Sequence, residues 1–399
     1  MLKRMGIAVL GTGDLGKEVY RLFDRNREFY LKTQNVEFTL ESVLAENGGD
    51  VPVKWVPTEK LAGNIAEVIA DPAVDVVIDA LSDVEQAKTY ALASLHEGKN
   101  VVTANAELIC RYFSELERVA RRNGCGVFFG ACCLSGIPAV RTLADGVQAD
   151  KIAEIALNVP DLKKAGNRNG EPYAAYCLSV LASLAFHVRV AVGKIFQDLA
   201  AVEKADVELG TKFGYELKTL AIAKNTEKGV EARLHPVFVK KSHPLAGVAE
   251  DVSAICLKGE KSGCLVLSGK GGVSATASAI VSDVLGAATH SELGYAVDRN
   301  FASSDTGTKI VNDFKSGYYL RFKSVGSEGL LSKLSAVLSR AGISVSRLEQ
   351  KTGVSQLVEW ESVTLVTEQS SENAMKNAIS KIKKTGEVTL EAFVRVEED

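Results

Sequence analysis

Three glycines near the N-terminus, Gly11, Gly13 and Gly16 in "GTGDLG", carry the spacing G-x-G-x-x-G. The apolar run "GIAVL" precedes them and "KEVYRLF" follows, so a strand, a tight turn and a helix are expected. In such a turn the first glycine permits the bend, the second lets the backbone approach a pyrophosphate, and the third lets helix and strand pack closely. Free N–H groups and the positive end of the helix dipole then face the phosphates. The chemistry this points to is dinucleotide binding, against the plain alternative of a glycine turn with no ligand. The acid expected on the ribose 2′-hydroxyl is Glu46, at the end of a second strand, "VEFTLESVLAEN". It stands farther from Gly16 than the usual ~20 residues, and the intervening "REFYLKTQN" accounts for the extra length. A carboxylate there repels a 2′-phosphate and favours NAD over NADP, although Arg27 or Lys32 could reverse that preference.

These residues need a sheet to hold them. Residues 1–135 alternate strand and helix, through "AEVIADPAVDVVIDALS", "VEQAKTYALASLHEGKNVVTA" and "ELERVARRNGCGVFFGAC". That order predicts an α/β fold with a Rossmann-type, doubly wound parallel sheet and a ligand at the carboxyl ends of its strands. The candidate cofactor set is Gly11, Thr12, Gly13, Asp14, Leu15, Gly16, Glu46, Ser82, Thr103, Asn105 and Gly272. Residues 136–274 mix apolar helical stretches, "YCLSVLASLAF" and "ELGTKFGYELKTLAIAK", with strand-like "VEARLHPVFV" and "GCLVLSGKGG", and predict a mixed α+β substrate and dimerisation domain. "SATASAIVSDVLGAA", at about 275–300, reads as a helix returning to the first domain, and 301–316 as a linker. Residues 317–399 run strand–helix–strand–strand–helix–strand, which is ferredoxin-like.

Bulk composition narrows the function. Hydrophobic content of 46%, charged content of 24% and a net charge of −3 suit a soluble globular protein with no nucleic-acid or membrane partner. No apolar run approaches the roughly 18 residues that span a bilayer. The N-terminal "MLKRMGIAVLGTG" lacks a small-x-small cleavage site and is read as a first strand. Seven cysteines show no C-x-x-C pair, which predicts reduced, buried thiols, a cytoplasmic location and no metal site.

The stretch "VVTANAELIC" then raises a question, because it reads as strand, turn and helix with Ala106 where a catalytic side chain belongs. The chain resembles homoserine dehydrogenases that carry a C-terminal ACT domain. "VVTANAELIC" is similar to that family's V-V-T-A-N-K-x-L, and "GACCLSGIPAV" to its E-A-S-V-x-G-G-I-P. "FGYELKTLAIAK" is similar to a family helix, "HPVFVKKSHPLAGV" to a strand, and "SGKGGVSATASAIVSDV" to G-x-G-A-G-x-x-P-T-A-S-A-V. The resemblance implies reduction of an aldehyde by a nicotinamide hydride, with a lysine acid–base, an aspartate beside it, a glutamate and an N-G-T-x-N turn. This sequence departs from each. Ala106 replaces the lysine after Asn105, Gly130 replaces the glutamate, and Cys177 and Tyr173 fall where the catalytic lysine and aspartate would stand. "LNVPDLKKAGNRNGEPYAAYC" replaces the turn.

No catalytic residue is therefore assigned. Lys218 is expected to be structural on an apolar helix, and His187 to be a core or interface histidine. His235 and His243 read as structural. Cys132 and Cys133 lack an evident base, and Lys163, Lys164 and Arg168 read as a solvated loop that could also hold an acidic ligand. The ACT-like turn "GSEG", Gly326 to Gly329, keeps a glycine but not the family's aspartate and proline, which leaves an amino-acid effector as a possibility of the resemblance only. The expected function is a homoserine dehydrogenase-like NAD(P)-dependent oxidoreductase with a degenerate site, acting as a homodimer on a small carbonyl or hydroxy compound of amino-acid metabolism. The alternative is a catalytically silent nucleotide-binding sensor or partner subunit.

Overall fold

The computed structural model describes residues 2–46, 54–160, 171–290, 309–325, 329–355, 358–384 and 388–398. The chain divides into two compact units, Met1–Ile195 with Ala223–Thr226 and Ala249–Lys309, and Phe196–Ile222 with Glu227–Val248 and Ile310–Asp399. The segment 136–274 is thus shared between the units.

In the first unit, β1 (Lys3–Leu10), α1 (Asp14–Arg25), α2 (Arg27–Gln34), β2 (Val36–Leu44), β3 (Leu61–Ala62), α3 (Ile65–Ala70) and β4 (Val76–Asp79) come first. They are followed by α4 (Val84–His96), β5 (Asn100–Thr103), α5 (Ala106–Arg122) and β6 (Val127–Phe128). The strands form one parallel sheet in the order β3-β2-β1-β4-β5-β6. Met5 and Ile7 to Leu10 of β1 and Val76 to Ile78 of β4 are buried, as strands covered by helices on both faces must be. The strand order reverses between β1 and β4, and a crevice opens outside their carboxyl ends.

After the single-turn α6 (Ala139–Arg141) come β7 (Ile152–Asn158) and α7 (Tyr173–Phe186). Every α7 residue from Ala174 to Phe186 is buried, because a helix that is apolar all round has no face for water. Farther along the chain, β11 (Val252–Gly259) pairs antiparallel with both β12 (Gly263–Lys270) and β7. The returning helix α9 (Val273–His290) packs against α1, with the Ser274 hydroxyl donating to Glu18 Oε1 at 3.0 Å.

The second unit holds β8 (Phe196–Gln197), α8 (Lys204–Lys212), β9 (Tyr215–Thr226), β10 (Gly229–Lys240), β13 (Lys315–Val325) and α10 (Leu330–Arg340). It closes with β14 (Val345–Ser355), β15 (Val358–Thr367), β16 (Ser370–Ser371), α11 (Glu372–Lys383) and β17 (Val388–Glu397). Its sheet runs β9-β10-β17-β13-β15-β14. The last four strands are the fourth, first, third and second of the expected strand–helix–strand–strand–helix–strand module, which is the ferredoxin-like order. Tyr318, Leu320 and Phe322 pack there against Leu334, Leu338 and Met375.

Two expectations are corrected. "ELGTKFGYELKTLAIAK" is not one helix: α8 stops at Lys212, Gly214 turns the chain with φ at +92°, and the rest is strand β9. The buried "LAIA" run is apolar on both faces, and periodicity cannot separate such a strand from a helix. Lys218 lies on that strand, its Nζ donating to the Val248 carbonyl at 2.5 Å. His187 is not in the core either. It is exposed and caps α7 in the left-handed conformation, with φ at +54°.

An ionic cluster lies buried within the second unit. Arg395 binds Glu372 at 2.6 and 3.1 Å and Asp198 at 2.9 Å, and Arg233 binds Glu397 at 2.7 Å and Glu231 at 2.9 Å. Both guanidiniums lie over the Phe314 ring, and the buried His235 ring stacks on it. Burial first, then the charges of Arg395 and Arg233, hold His235 neutral far below the usual histidine range. The unfolded chain therefore takes up a proton near pH 6.5 that the folded chain refuses. Stability from this group is present above pH 6.5 and falls below it, by up to ~1.4 kcal/mol per pH unit. Thermal denaturation between pH 7.5 and 5 should show that decline, and His235→Phe should flatten it.

Candidate functional site

The glycine turn joins β1 to α1. Gly11 has φ at +108°, and a Cβ there would come 2.5 Å from the Ala80 carbonyl. A Cβ on Gly16 would lie 2.1 Å from the Gly11 carbonyl, so this close packing of turn and helix admits no side chain. Gly13 is different: nothing lies within 4 Å of where its Cβ would be. Gly13 is also the N-cap of α1, with no side chain capping the first turn. The N–H groups of that turn, at Asp14, Leu15 and Gly16, thus border open space, which fits a pyrophosphate.

Glu46 lies just past β2. Its Oε1 accepts from the Ser82 N–H at 2.6 Å, and its carbonyl accepts from Gln86 Nε2 at 2.6 Å. The expected ribose acid therefore ties the end of β2 to the β4–α4 loop. Thr103 does not reach open space. It is buried, its hydroxyl donating to Asp79 Oδ2 at 2.7 Å and accepting from the Asn105 N–H at 3.0 Å. Asn105 caps α5 by accepting from the Leu108 N–H at 3.0 Å.

Beside the turn lies a cavity of about 270 Å³ walled by Leu15, Asp79 to Ser82, Ala104 to Glu107, Tyr173 and Tyr176. Ala106 thus lies in the cavity wall with a methyl group. A second cavity of about 770 Å³ is lined by Ser135, Val159, Pro160, Tyr173, Glu250, Asp251, Ser253, Lys270, Gly271 and Gly272. Gly272, expected near the cofactor, borders this larger space. Lys163, Lys164 and Arg168 lie outside the described residues, as do Gly326, Ser327 and Glu328 of the ACT-like turn.

Sequence reasoning missed Asp79, Glu107 and Tyr176. Asp79 closes an all-apolar strand at the sheet's carboxyl edge, which was the available signal. Burial pushes its carboxyl up to about 6, against the hydrogen bonds from Thr103 and the Leu81 N–H that favour the charge. Glu107 is buried and pairs with Arg111 at 3.3 Å. Burial, and then the Glu107 charge, raise the Tyr176 phenol above its ordinary value.

Cys177 is fully buried and lines neither cavity; against its burial, hydrogen bonds from Cys133 and Tyr173 hold its thiol below the ordinary value. The Cys132 and Cys133 sulfurs lie 3.4 Å apart, and burial pushes both thiols up, as it does Cys110. Cys110 is only half-buried, and Cys264 is exposed rather than enclosed. Among the described residues, no helix is long and apolar enough to cross a membrane.

A parallel sheet with its glycine turn at the switch point, opening on a walled cavity, has the layout of a dinucleotide-binding domain, and the relatives it matches make it an NAD(P)-dependent oxidoreductase. Family models narrow this further. The homoserine dehydrogenase NAD-binding domain matches residues 11–130, and the homoserine dehydrogenase domain matches residues 173–285. Together they span more than half of the chain, and the chain belongs to the homoserine dehydrogenase family. It is 28% identical over 406 residues to the homoserine dehydrogenase of Bacillus subtilis, covering 93% of each chain. To the homoserine dehydrogenase of Mycobacterium tuberculosis it is 27% identical over 385 residues, covering 88% of this chain and 87% of the relative. A crystal structure of a homoserine dehydrogenase from Thiobacillus denitrificans has the same fold, with a TM-score of 0.85, 24% identity and 99% of both chains covered.

Because Gly13 borders the space a pyrophosphate needs, Gly13→Val should abolish nicotinamide dinucleotide binding while leaving the fold intact. Calorimetry of the variant against NAD and NADH checks this, and undiminished affinity would contradict it.

Proposed function

We propose that this chain binds NAD in preference to NADP and exchanges hydride between it and a small carbonyl or hydroxy compound other than homoserine. The carrying observation is the wall of the cavity beside the turn, where Asn105 is followed by Ala106 and Tyr173 also lines the space, with no lysine among the described lining residues. The lysine lining the larger cavity, Lys270, is 78% exposed and pairs with Asp251 at 3.0 Å.

When bound, the nicotinamide supplies or accepts the hydride. The first turn of α1 would hold its pyrophosphate, and Glu46, fixed by Ser82, would take the ribose hydroxyl. A homoserine site needs a proton donor at the developing alkoxide, worth about 10²–10⁴-fold, and a positioned cation worth a further ~3–4 kcal/mol. Ala106 and Gly130 supply neither. We assign the ferredoxin-like module as an ACT domain, and the working form as a homodimer in the cytoplasm.

Glu46→Ala should weaken NAD more than NADP, and tighter binding of NADP by the unmodified chain would refute the preference. With NAD present, L-homoserine oxidation should be absent or several orders of magnitude below that of a relative such as the Bacillus subtilis enzyme. Restoring Ala106→Lys alone should recover little, because losses within one catalytic unit do not add. Robust homoserine turnover would overturn the proposal.

A further inference from the structure

Tyr173 alone, among the residues lining the two cavities, belongs to both. It is the first residue of α7, following the N-cap Pro172, and is only partly buried. Its hydroxyl donates to the Cys132 carbonyl at 3.0 Å, which fixes the oxygen, and donation to a substrate oxygen requires the O–H to rotate from that carbonyl toward the cavity. Cys177, one turn along on the same helix face, is fully buried and lines neither cavity, so it cannot touch a substrate. Asp79 and Glu107 border the smaller cavity only and do not reach the larger one. The side chain between cofactor space and substrate space is a phenol.

We propose that Tyr173 is the catalytic acid–base residue of this chain, its phenolic hydroxyl protonating the substrate oxygen as hydride reaches the carbonyl carbon. This rests on the hydride-transfer reading above. In the reductive direction the new C–H bond forms from the reduced nicotinamide. The carbonyl π pair moves to oxygen and takes the Tyr173 proton, and the O–H bond of the phenol breaks. Water in the larger cavity then reprotonates the phenolate. Oxidation of the alcohol reverses each transfer.

Burial, reinforced by Cys177 and Cys133, lifts the Tyr173 pKa well above the usual value near 10. The phenol therefore stays protonated through neutral pH, ready as an acid and scarce as a base. Carbonyl reduction should be flat in this group's titration from pH 6 to 9, whereas alcohol oxidation should climb tenfold per pH unit over the same range.

The test uses the full-length chain and its Tyr173→Phe variant, with NADH and short aldehydes (glycolaldehyde, propanal, succinic semialdehyde). The variant should bind NADH unchanged by fluorescence titration, keep its KM, and lose ~10²–10⁴-fold in kcat. NADH binding with undiminished kcat in the variant would overturn the assignment alone, while no NADH binding by the unmodified chain would overturn the hydride-transfer reading beneath it. If no aldehyde is reduced, the phenolate absorbance of the unmodified chain minus that of the variant decides. A Tyr173 phenol whose pKa falls when NAD, with its cationic nicotinamide ring, is added supports the proposal, and one that NAD leaves unmoved refutes it. A pH profile of oxidation that is flat, or that turns at neutrality, also refutes it.

Discussion

The contact on which the site depends is the approach of α1 to its own turn. A side chain at residue 16 would lie 2.1 Å from the Gly11 carbonyl, and one at residue 11 would lie 2.5 Å from the Ala80 carbonyl. Only backbone fits there. This brings the first turn of α1 and the β4–α4 loop to the same edge of the sheet. The Glu46–Ser82 and Thr103–Asp79 hydrogen bonds then join β2, β4 and β5 along that edge. The cavity beside the turn is bounded by these fixed carboxyl ends, while residue 13 borders open space.

On the reading proposed above, the chemistry around that frame is rebuilt rather than erased. Ala106 presents only a methyl group to the cavity wall, and burial pushes the Cys132 and Cys133 thiols up. A site that had only lost residues would leave Tyr173 no special place. Instead the phenol stands between the two spaces where cofactor and substrate would meet, and it is anchored by a backbone carbonyl. Buried polar groups are costly unless bonded, so that anchor stabilises the phenol in one orientation.

Much of the fold was legible in the sequence because its signals are local. Glycine spacing marked the turn, alternating strands and helices marked the parallel sheet, and the C-terminal order marked the ferredoxin-like module. "GYELKTLAIAK" was misread because a strand buried on both faces has no period to display, and the single glycine at 214 decides the outcome. Asp79 and Tyr176 were missed for another reason. Their roles come from the cavity they border, which brings together residues from the ends of β4 and β5 and the start of α7. The bond of Glu46 to Ser82 crosses between strands and could not be read from spacing. Departures from the family pattern at Ala106, Gly130, Tyr173 and Cys177 were visible in the sequence, whereas the place of Tyr173 between two cavities required the folded chain.

The most direct test of the account is a crystal structure of the chain bound to NAD. The account predicts the pyrophosphate against the first turn of α1 beside Gly13, a ribose hydroxyl on Glu46, and the nicotinamide ring in the cavity bordered by Ala106 with its reactive face toward Tyr173. A dinucleotide bound elsewhere, or with its nicotinamide turned away from Tyr173, would contradict it.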